Sequence, residues 1–520
     1  MRNSLILAFV LLLLWPSGLN AVSAAPEIRV LLSSNPAESV ISCEAAFELT
    51  FPQIQTTLPF TAGETLMLSA SGRLTWVILA AGPLAALEPL VPAHEVLWAT
   101  LGPPSLGQFA GQMALAIGPF DNMDSAVTAA NQAQAVFPTI QIHSGYSISL
   151  ITNRPYDLAW SGTSAGSALV LTSATPLSAT QKRYRGSLEL FCKDNNGSWE
   201  LRMVNRLDLE SYLYGVVPSE MTHDWSLEAL KAQSVAARSF AMAKMGRNQW
   251  VTEGFDVTAT VSDQVYKGYD GEYPETNMAV DHTRGQVLTF GGNIASTPFH
   301  SCSGGFTENN ENVWSGPALP YLRGVPSPGE DGSKYITWTA TVATTEFIAK
   351  TEEKKGVILG ELVGLHVVEQ GVSGRIKTLA VEGSLGSTTL TGEQLRLVAN
   401  LRSSLATIDN LISFPNQLVL LSSQGTTPVS PESAILLLSS LGLAPLPASA
   451  VAVTSAGLMP LSLAITTTQS IGATISFGGH GWGHGVGMPQ WGAKARAQEG
   501  KTYDQILLYY YTGVSLETKY

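Results

Sequence analysis

The stretch that decides the fold is Tyr212–Ala241, which reads YLYGVVPSEMTHDWSLEALKAQSVAARSFA. Its second half predicts a helix, because Ser226 is a good N-cap, Glu228 suits the positive first turn, and an alanine-rich run follows. The small alanines make this helix thin on several sides, so neighbouring backbone can approach it closely. Just ahead of the helix, a single acidic residue, Glu220, lies in an otherwise apolar segment.

Glu220 is the first candidate for chemistry. A carboxylate among Tyr, Val, Pro, Met and Trp tends to lose hydration, and its pKa then rises toward the range useful for a general acid. Gln233 and Arg238 are the polar exceptions on the alanine-rich helix. The alternative interpretation is structural, with Glu220 capping the helix or pairing with Arg238.

The same stretch resembles the signature of the stage II sporulation protein D family (SpoIID), also called the amidase-enhancer family (LytB). Two further blocks carry the resemblance: FHSCSGGFTE at residues 299–308, followed by 313–314 and 320–325, and GHGWGHGVGMPQWGA at residues 479–493, followed by 506–513. The three blocks stand in the family's order. Weaker matches run from about Ile28 to the C-terminus, so the resemblance covers most of the chain.

The resemblance implies a lytic transglycosylase that acts on peptidoglycan, with a preference for glycan strands lacking stem peptides. The family's catalytic glutamate falls on Glu220, and its helix arginine falls on Arg238, which would orient substrate or steady developing charge. Such an enzyme can use one carboxylate, whereas glycoside hydrolases usually use two. The acid protonates the bridging oxygen and then takes a proton from the sugar's own 6-hydroxyl, which closes a 1,6-anhydro ring on N-acetylmuramic acid.

The family also contains proteins described as stimulating a separate N-acetylmuramoyl-L-alanine amidase. The resemblance therefore leaves a second interpretation open, in which this chain is a non-enzymatic enhancer or binding partner of an amidase. An enhancer should tolerate the loss of Glu220, whereas an enzyme should not.

The glycine-rich residues 479–485 are the second candidate part of a site. Alternating glycines let the backbone come close to a ligand, and Trp482 can stack on a sugar face. His480 and His484 are four residues apart, but the glycines argue against a helix, so we expect substrate contact or loop stabilisation rather than a metal. The predicted substrate-binding set is Gln233, Gly304, Gly305, Tyr321, His480, Trp482, His484 and Gln490. Trp314 and Tyr266 are further aromatic candidates for a glycan groove, or else core residues.

A zinc site is the weaker alternative to a chain without cofactors. His300 and Cys302 are residue types that bind zinc well, and some family members are reported to bind zinc around the equivalent block with several Cys and His. This chain has only these two residues there, and a lone cysteine is usually just buried. Glu308 in the same block is the second carboxylate that a hydrolase would need.

Composition bounds the class of protein. The chain has 520 residues, 45% of them hydrophobic and 13% charged, which indicates a folded protein of two to four domains. Its formal net charge of -12 speaks against nucleic acid or an anionic membrane as the main partner. The three cysteines form no disulfide framework, and at most Cys43 could pair with Cys192.

Residues 1–24 read as a cleaved signal peptide, and an uncleaved N-terminal anchor is the alternative. Arg2 precedes an apolar core at Leu5–Leu14, and small residues follow at Val22–Ala24. No other segment is long and apolar enough to span a bilayer. We therefore expect an exported protein of the periplasm, the cell envelope or the extracellular space.

Strands and helices alternate without regular βαβ spacing, so we predict an α+β fold with the alanine-rich helix beside the catalytic segment. Residues 25–184 form a predicted β-rich region, and residues 185–520 form the predicted catalytic domain, with a hairpin around Asn195–Gly197 and an insertion at about 415–474. A β-turn-α-β order at about 107–150 resembles half of a SPOR repeat, a small module associated with glycan strands stripped of peptides. A plain α/β insertion is the alternative.

Overall fold

The structure is a computed structural model. It describes residues 24–34, 40–101, 103–109, 112–120, 122–154, 156–160, 168–195, 198–246, 251–408, 418–422, 425–429, 451–454, 457–460 and 474–520. The predicted signal peptide therefore lies outside the described residues except for Ala24, as does most of the predicted insertion at 415–474.

The strands up to residue 208 are β1 (Glu27–Ser34), β2 (Val40–Cys43), β3 (Phe47–Phe51), β4 (Thr56–Phe60), β5 (Thr65–Ala81), β6 (Ser105–Phe109), β7 (Gln112–Phe120), β8 (Gln141–Thr152), β9 (Asp157–Trp160), β10 (Leu169–Ser173), β11 (Leu177–Ala179), β12 (Lys182–Tyr184), β13 (Ser187–Asn195) and β14 (Ser198–Asp208). The later strands are β15 (Val257–Thr258), β16 (Gln286–Phe290), β17 (Asn293–Ile294), β18 (Phe299–His300), β19 (Thr337–Ala343), β20 (Leu362–Gln370), β21 (Ile376–Gly383), β22 (Ser387–Thr391), β23 (Ala406–Ile408), β24 (Leu418–Ser422), β25 (Gly425–Val429), β26 (Val451–Thr454), β27 (Gly457–Pro460), β28 (Thr474–His480), β29 (Met488–Pro489) and β30 (Ser515–Thr518).

The helices are α1 (Leu84–Leu87), α2 (Leu90–Ala93), α3 (Glu95–Leu101), α4 (Met123–Ala133), α5 (Leu209–Glu220), α6 (Leu227–Gly246), α7 (Pro274–His282), α8 (Thr344–Lys355), α9 (Gly392–Val398), α10 (Gln490–Gln498) and α11 (Tyr503–Tyr510). Helices and strands are mixed along the chain, and the predicted α+β class is confirmed.

Two large sheets dominate the N-terminal half. One has the order β15-β1-β14-β13-β10-β3-β4, and the other has the order β12-β11-β2-β5-β7-β6-β9-β8 with an additional β5–β8 pairing. That extra pairing closes β5, β7, β6, β9 and β8 into a ring of five strands. The predicted β-turn-α-β order is present as β7, α4 and β8, and both strands pair with β5. Its likeness to a SPOR repeat stays a prediction.

Strands from both predicted regions share the first sheet. β1 pairs antiparallel with β14 and parallel with β15, and β10 pairs antiparallel with β13, so pairing crosses residue 184 three times. The predicted hairpin is confirmed, because β13 and β14 pair from Ser187↔Arg206 to Asn195↔Ser198. One hydrophobic cluster, whose buried members run from Ile28 to Val280, packs against this sheet and the start of the helical part.

The predicted alanine-rich helix is α6, and its start is the predicted one. The Ser226 hydroxyl accepts a hydrogen bond from the Ala229 amide at 3.4 Å. The preceding helix, α5, was not predicted. Asp208 caps it by accepting from the Ser211 amide at 3.1 Å, and Glu220 is its last residue.

The helical part around α6 has a core of its own. α10 and α11 pack on α6, and Tyr510 and Tyr511 are fully buried there. A third cluster lies under α8, α9 and the sheets formed by β19–β23 and β28. Within the described ranges, no helix has both the length and the apolar character needed to cross a membrane.

The proposed Cys43–Cys192 pairing is wrong in this structure, because all three cysteines are free and buried. The Cys43 thiol instead lies 3.1 Å from the Ser173 hydroxyl and 3.2 Å from the Thr175 hydroxyl.

Candidate active site

Glu220 stands where α5 ends and the chain turns toward α6. Its side chain is partly buried and accepts two hydrogen bonds. The Val265 amide donates to Oε1 at 3.1 Å, and the Gln490 side-chain amide donates to Oε2 at 3.0 Å. Both donors are neutral, so they orient the carboxyl group without placing a full positive charge against it.

Burial raises the pKa of Glu220 above its ordinary value. The hydrogen bonds from Val265 and Gln490 and the charge of Lys267 oppose this rise but do not cancel it. No cationic side chain of the described residues forms an ion pair with Glu220. A carboxyl group in this state keeps its proton to higher pH than a solvated one, which is what a general acid needs.

Gln490 is held in place by the strand pair in front of its helix. β29 runs parallel to β18, with Phe299 opposite Met488 and His300 opposite Pro489, so Gln490 follows directly as the first residue of α10. Gln490 was predicted to contact substrate. The structure adds a hydrogen bond from Gln490 to Glu220, which lies 270 positions away in the chain.

Arg238 is enclosed by protein and does not face a substrate, although the resemblance implies that it would. Its guanidinium is fully buried and binds Glu210 twice, from Nε at 2.8 Å and from Nη2 at 2.7 Å. Its remaining donors reach the carbonyl groups of Val280 and Gln286. The alternative prediction, a pair with Glu220, is likewise not what the structure has. Arg238 joins α5, α6, α7 and β16, and this burial leaves it no open edge for substrate.

Gln233, on the same helix, is fully buried. Neither its amide oxygen nor its amide nitrogen has a hydrogen-bond partner among the described residues. A buried amide without partners costs free energy, so Gln233 is a polar group available to a ligand or a water. Its predicted contact with substrate stays a prediction.

Glu308 is a structural carboxylate. It is fully buried and accepts hydrogen bonds from the amides of Asn309, Val372 and Ser373, from the Asn312 side chain at 2.8 Å, and from the Ser373 hydroxyl at 2.5 Å. Burial works to raise its pKa, but the bonds from Ser373 and Asn312 outweigh it, so the pKa of Glu308 lies below its ordinary value. An acid that is held ionised and enclosed cannot serve as the second carboxyl group of a hydrolase.

A second buried carboxylate, Glu330, fixes the loop that carries Cys302. It accepts from the amide and hydroxyl of Ser303, each at 2.7 Å, from the Gly304 amide at 3.1 Å and from the Ser327 hydroxyl at 2.6 Å. Nothing in the local sequence pattern separates Glu330 from a residue of a surface turn, so no sequence signal points to it.

The donors around Cys302 fit zinc poorly. The Cys302 thiol donates to Glu330 at 3.0 Å, and burial together with the nearby carboxylate raises the pKa of this thiol to about 12. Zinc binds the thiolate, which this setting disfavours. Among the described residues, no three His, Cys, Asp or Glu side chains gather as metal ligands.

The histidines of the site are committed to backbone groups. The His484 Nε2–H donates to the Phe299 carbonyl at 3.0 Å while Nδ1 accepts from the Val486 amide at 3.0 Å. Burial, aided by the charges of Arg396 and Arg375, lowers the pKa of His484 to about 3. His480 is exposed, and its Nδ1 lies 3.1 Å from the Ile336 carbonyl. These contacts stabilise the loop, one of the two predicted roles.

His300 is the exception among these rings. Its Nδ1 lies 3.1 Å from the Val486 carbonyl, but its buried Nε2 has no partner among the described residues. Burial, with the charges of His484 and Arg375 acting in the same direction, holds the pKa of His300 well below its ordinary value, so its ring is neutral.

Some glycines and aromatics of the predicted groove are open to a ligand, and the others are enclosed by protein. Gly305 has a positive φ of 110° and open space where a Cβ would stand, so it can line a cleft. At Gly304 a Cβ would come within 2.9 Å of His480. Trp314 and Trp482 are 38% and 39% exposed, whereas Tyr321 and Tyr266 are buried in the core. The burial of Tyr321 and Tyr266 agrees with the alternative to a glycan contact, a place in the core.

An open cleft of about 530 Å³ lies beside the end of α5. Pro218 and Thr222, which flank Glu220 in the chain, line it together with Lys267. His223 and Tyr273 also line it, and their rings stack with centroids 4.1 Å apart.

Comparison with known proteins places the chain in a family. A family model described as "Stage II sporulation protein" (SpoIID) matches residues 198–290, which contain Glu220 and α6. The stage II sporulation protein D of Bacillus subtilis (strain 168) is 30% identical over 332 residues, covering 60% of this chain and 75% of that protein. The chain therefore belongs to the stage II sporulation protein D family.

Two further relatives extend the comparison. An uncharacterised protein of Brachyspira hyodysenteriae is 32% identical over 333 residues, covering 64% of this chain and 72% of that protein. The amidase enhancer of Bacillus subtilis (strain 168) is 30% identical over 318 residues, covering 58% of this chain. The match spans only 40% of the amidase enhancer's own length.

Proposed function

We propose that this protein is a peptidoglycan lytic transglycosylase that uses Glu220 as its only acid and base. The observation that carries the proposal is the state of Glu220: partly buried, bound by two neutral donors, with a raised pKa and no ion-pair partner among the described residues. A group in this state can give a proton to a leaving oxygen and take one back in the next step.

The reaction needs no second carboxylate. Glu220 protonates the oxygen that bridges N-acetylmuramic acid to N-acetylglucosamine, and the bond from that oxygen to the anomeric carbon breaks. The carboxylate then removes the proton of the muramic acid 6-hydroxyl, whose oxygen bonds to the same carbon. The product carries a 1,6-anhydro end, and no water is consumed. The Gln490 amide keeps Oε2 in a fixed position through both steps.

The other acids of the region support this choice over hydrolysis. A hydrolase places two carboxyl groups on either side of the bond that it cuts. Glu308 and Glu330 are each buried and each accept hydrogen bonds from several donors of their own loops, so neither is open to a sugar or a water.

The substrate that fits this proposal is a glycan strand of the cell wall, with a preference for strands lacking stem peptides. The exposed Trp482 and Trp314 offer faces on which sugars can stack. The sequence of residues 1–24 agrees with export to the compartment where such strands occur. We expect no cofactor.

Product analysis tests the proposal. Purified residues 25–520, as wild type and as Glu220→Gln, are incubated with peptide-free glycan strands, and the products are identified by mass spectrometry. We expect anhydro ends, lighter by one water than hydrolysis products, from the wild type only. Hydrated reducing ends would show a hydrolase and contradict the proposal.

A second candidate function is supported by the amidase enhancer among the relatives. In that case the chain would bind glycan strands and a cell-wall amidase without cutting. No cleavage by the wild type, together with stimulation of an added N-acetylmuramoyl-L-alanine amidase by both proteins, would favour this function.

A further inference from the structure

Four side chains form an aromatic and cationic surface beside the glycine-rich loop. The exposed Trp482 ring meets the Tyr335 ring edge to face, with centroids 4.1 Å apart. The Arg402 guanidinium lies 4.7 Å from the centre of the Tyr335 ring and 5.5 Å from that of Trp482. The Lys334 ammonium lies 5.0 Å from the Tyr335 centre. We call these four residues the Trp482 patch.

The two cations of the patch are not neutralised. No carboxylate of the described residues forms an ion pair with Arg402 or Lys334, whereas Arg396 pairs with Glu393 at 3.1 Å. In a chain with a formal net charge of -12, this is a local concentration of positive charge on an exposed surface. It is suited to an anionic ligand.

The position of the Arg402 guanidinium over two rings narrows the class of anion. A guanidinium stacked against aromatic rings uses its flat face for those contacts, which leaves its N–H edge available. That edge makes no hydrogen bond to a described side chain, and its fork matches the two oxygens of a carboxylate. The rings hold the guanidinium in place, so less side-chain entropy is lost when an anion binds.

Backbone pairings connect the patch to the residue that binds Glu220. Cys302 and Trp482 exchange two backbone hydrogen bonds, at 3.1 and 2.8 Å. Two residues earlier in the chain, His300 is opposite Pro489, the neighbour of Gln490. The patch and the carboxyl group therefore flank the same segment of chain, and a strand of several sugars is long enough to contact both.

We propose that the Trp482 patch is a subsite for N-acetylmuramic acid whose lactyl carboxylate is free, an inference that rests on the proposed function. The sugar stacks on Trp482, and Arg402 receives the carboxylate, with Lys334 adding positive charge. A stem peptide converts this carboxylate into a neutral amide and adds bulk at the same position. The patch thereby selects strands that lack peptides.

The test measures binding without cleavage. The Glu220→Gln chain is titrated with peptide-free glycan strands and with the same strands after their lactyl carboxylates have been converted to methylamides. We expect the conversion to weaken binding about tenfold, the effect of losing one charge-assisted hydrogen-bonded pair. Adding Arg402→Gln should weaken binding of the free-acid strands by a similar factor and remove the difference between the two ligands.

Two variants control for charge and for folding. Lys350→Gln, on the exposed face of α8, removes the same charge outside the patch and should keep the discrimination. Arg402→Lys keeps the charge but loses the planar fork, and should discriminate less than the wild type. Circular dichroism spectra of all variants should coincide.

The outcomes separate the subsite from the reaction. Equal binding of both ligands, discrimination that persists in Arg402→Gln, or no binding at all would overturn the subsite. If the wild type cuts strands while both ligands bind equally, only the subsite fails. If discrimination depends on Arg402 but the wild type cuts nothing, the transglycosylase fails and the carboxylate-binding surface remains.

Discussion

Glutamate side chains are buried in two regions, at the end of α5 and in the loops of residues 301–330. The pKa shifts in opposite directions in the two regions. Glu220 accepts two hydrogen bonds, and the pKa of its carboxyl group rises above the ordinary value. Glu308 accepts five, and its pKa falls. Burial acts in the same direction on both. The number of donors decides which carboxyl group keeps its proton for chemistry and which becomes a structural anion.

The largest expected effect comes from removing the Glu220 carboxyl group itself. Glu220→Gln keeps the shape of the side chain but cannot transfer a proton, so we expect the cleavage rate to fall about 10³-fold. The thermal unfolding midpoint should not fall, because the carboxyl group contributes no ion pair. Rates per folded molecule and circular dichroism melts measure the two effects.

That prediction has a clear contradiction. If Glu220→Gln cuts glycan within a few-fold of the wild-type rate, Glu220 is not the acid. The difference between the two regions would then have no catalytic meaning.

The next largest effect concerns Arg238, which the sequence predicts as catalytic and the structure places with Glu210. Arg238→Met leaves Glu210 as a buried charge without its partner, and we expect a loss of about 3 kcal/mol in the free energy of unfolding. Chemical denaturation measures this loss. Lys350→Met, which breaks an exposed pair with Glu346, is the matched control and should change stability little. A stable Arg238→Met protein with a large loss of rate would instead support the catalytic role.

Glu308→Gln tests the structural side of the comparison. It should destabilise the protein by about 2 kcal/mol at neutral pH, because an amide nitrogen then faces amide donors. The pKa of Glu308 is lowered by folding, so its contribution to stability is present above the unfolded-state pKa and is lost as the pH falls through the folded-state value. The difference between variant and wild type should therefore shrink on acidification. Thermal melts over a pH series measure it, and a difference that grows on acidification would contradict this role.

Glu220→Gln should show the opposite pH trend in the same melts. The pKa of Glu220 is raised by folding, so the wild type loses stability as the pH rises through the window between the unfolded-state and folded-state values. The variant lacks this loss and should gain stability relative to the wild type in that window.

Gln490→Leu removes one of the two donors to Glu220. We expect about a tenfold fall in rate, since the carboxyl group is less well oriented. Losing a donor to the charged form raises the pKa further, so the alkaline limb of the pH–rate profile should move to higher pH. Gln498→Leu, at the exposed end of the same helix, should leave the profile in place. A profile that moves to lower pH in Gln490→Leu would contradict the assignment.

The smallest expected effect is that of removing any bound zinc. Dialysis against EDTA should change the cleavage rate by less than about twofold, because the Cys302 thiol is held protonated and few other ligands are near it. Loss of activity that zinc restores would contradict this expectation.

Local signals were enough for some of these features. The Ser226 cap and the alanine run predicted α6, and the apolar setting of Glu220 predicted the direction of its pKa shift, which the structure agrees with. The helix that ends at Glu220 was missed, because Gly215, two valines and Pro218 are poor helix formers. Tertiary packing against the first sheet and α6 outweighs that weak propensity.

The predictions that failed for Arg238 and Glu308 concern contacts between residues distant in the chain. Arg238 finds Glu210 on another helix, 28 residues away, and Glu308 finds a turn at Val372 and Ser373. Nothing near either residue in the chain indicates its partner. The same holds for Arg402, whose place beside Trp482 comes from folding alone.

Digestion in water enriched in heavy oxygen tests whether a lone carboxyl group with a raised pKa cuts the strand without water. The wild-type protein is allowed to digest peptide-free strands in this water, and the new ends are analysed by mass spectrometry. We expect new muramic acid ends that carry no heavy oxygen. One heavy oxygen in each new end would contradict it, because water would then have attacked the anomeric carbon with the help of a second base.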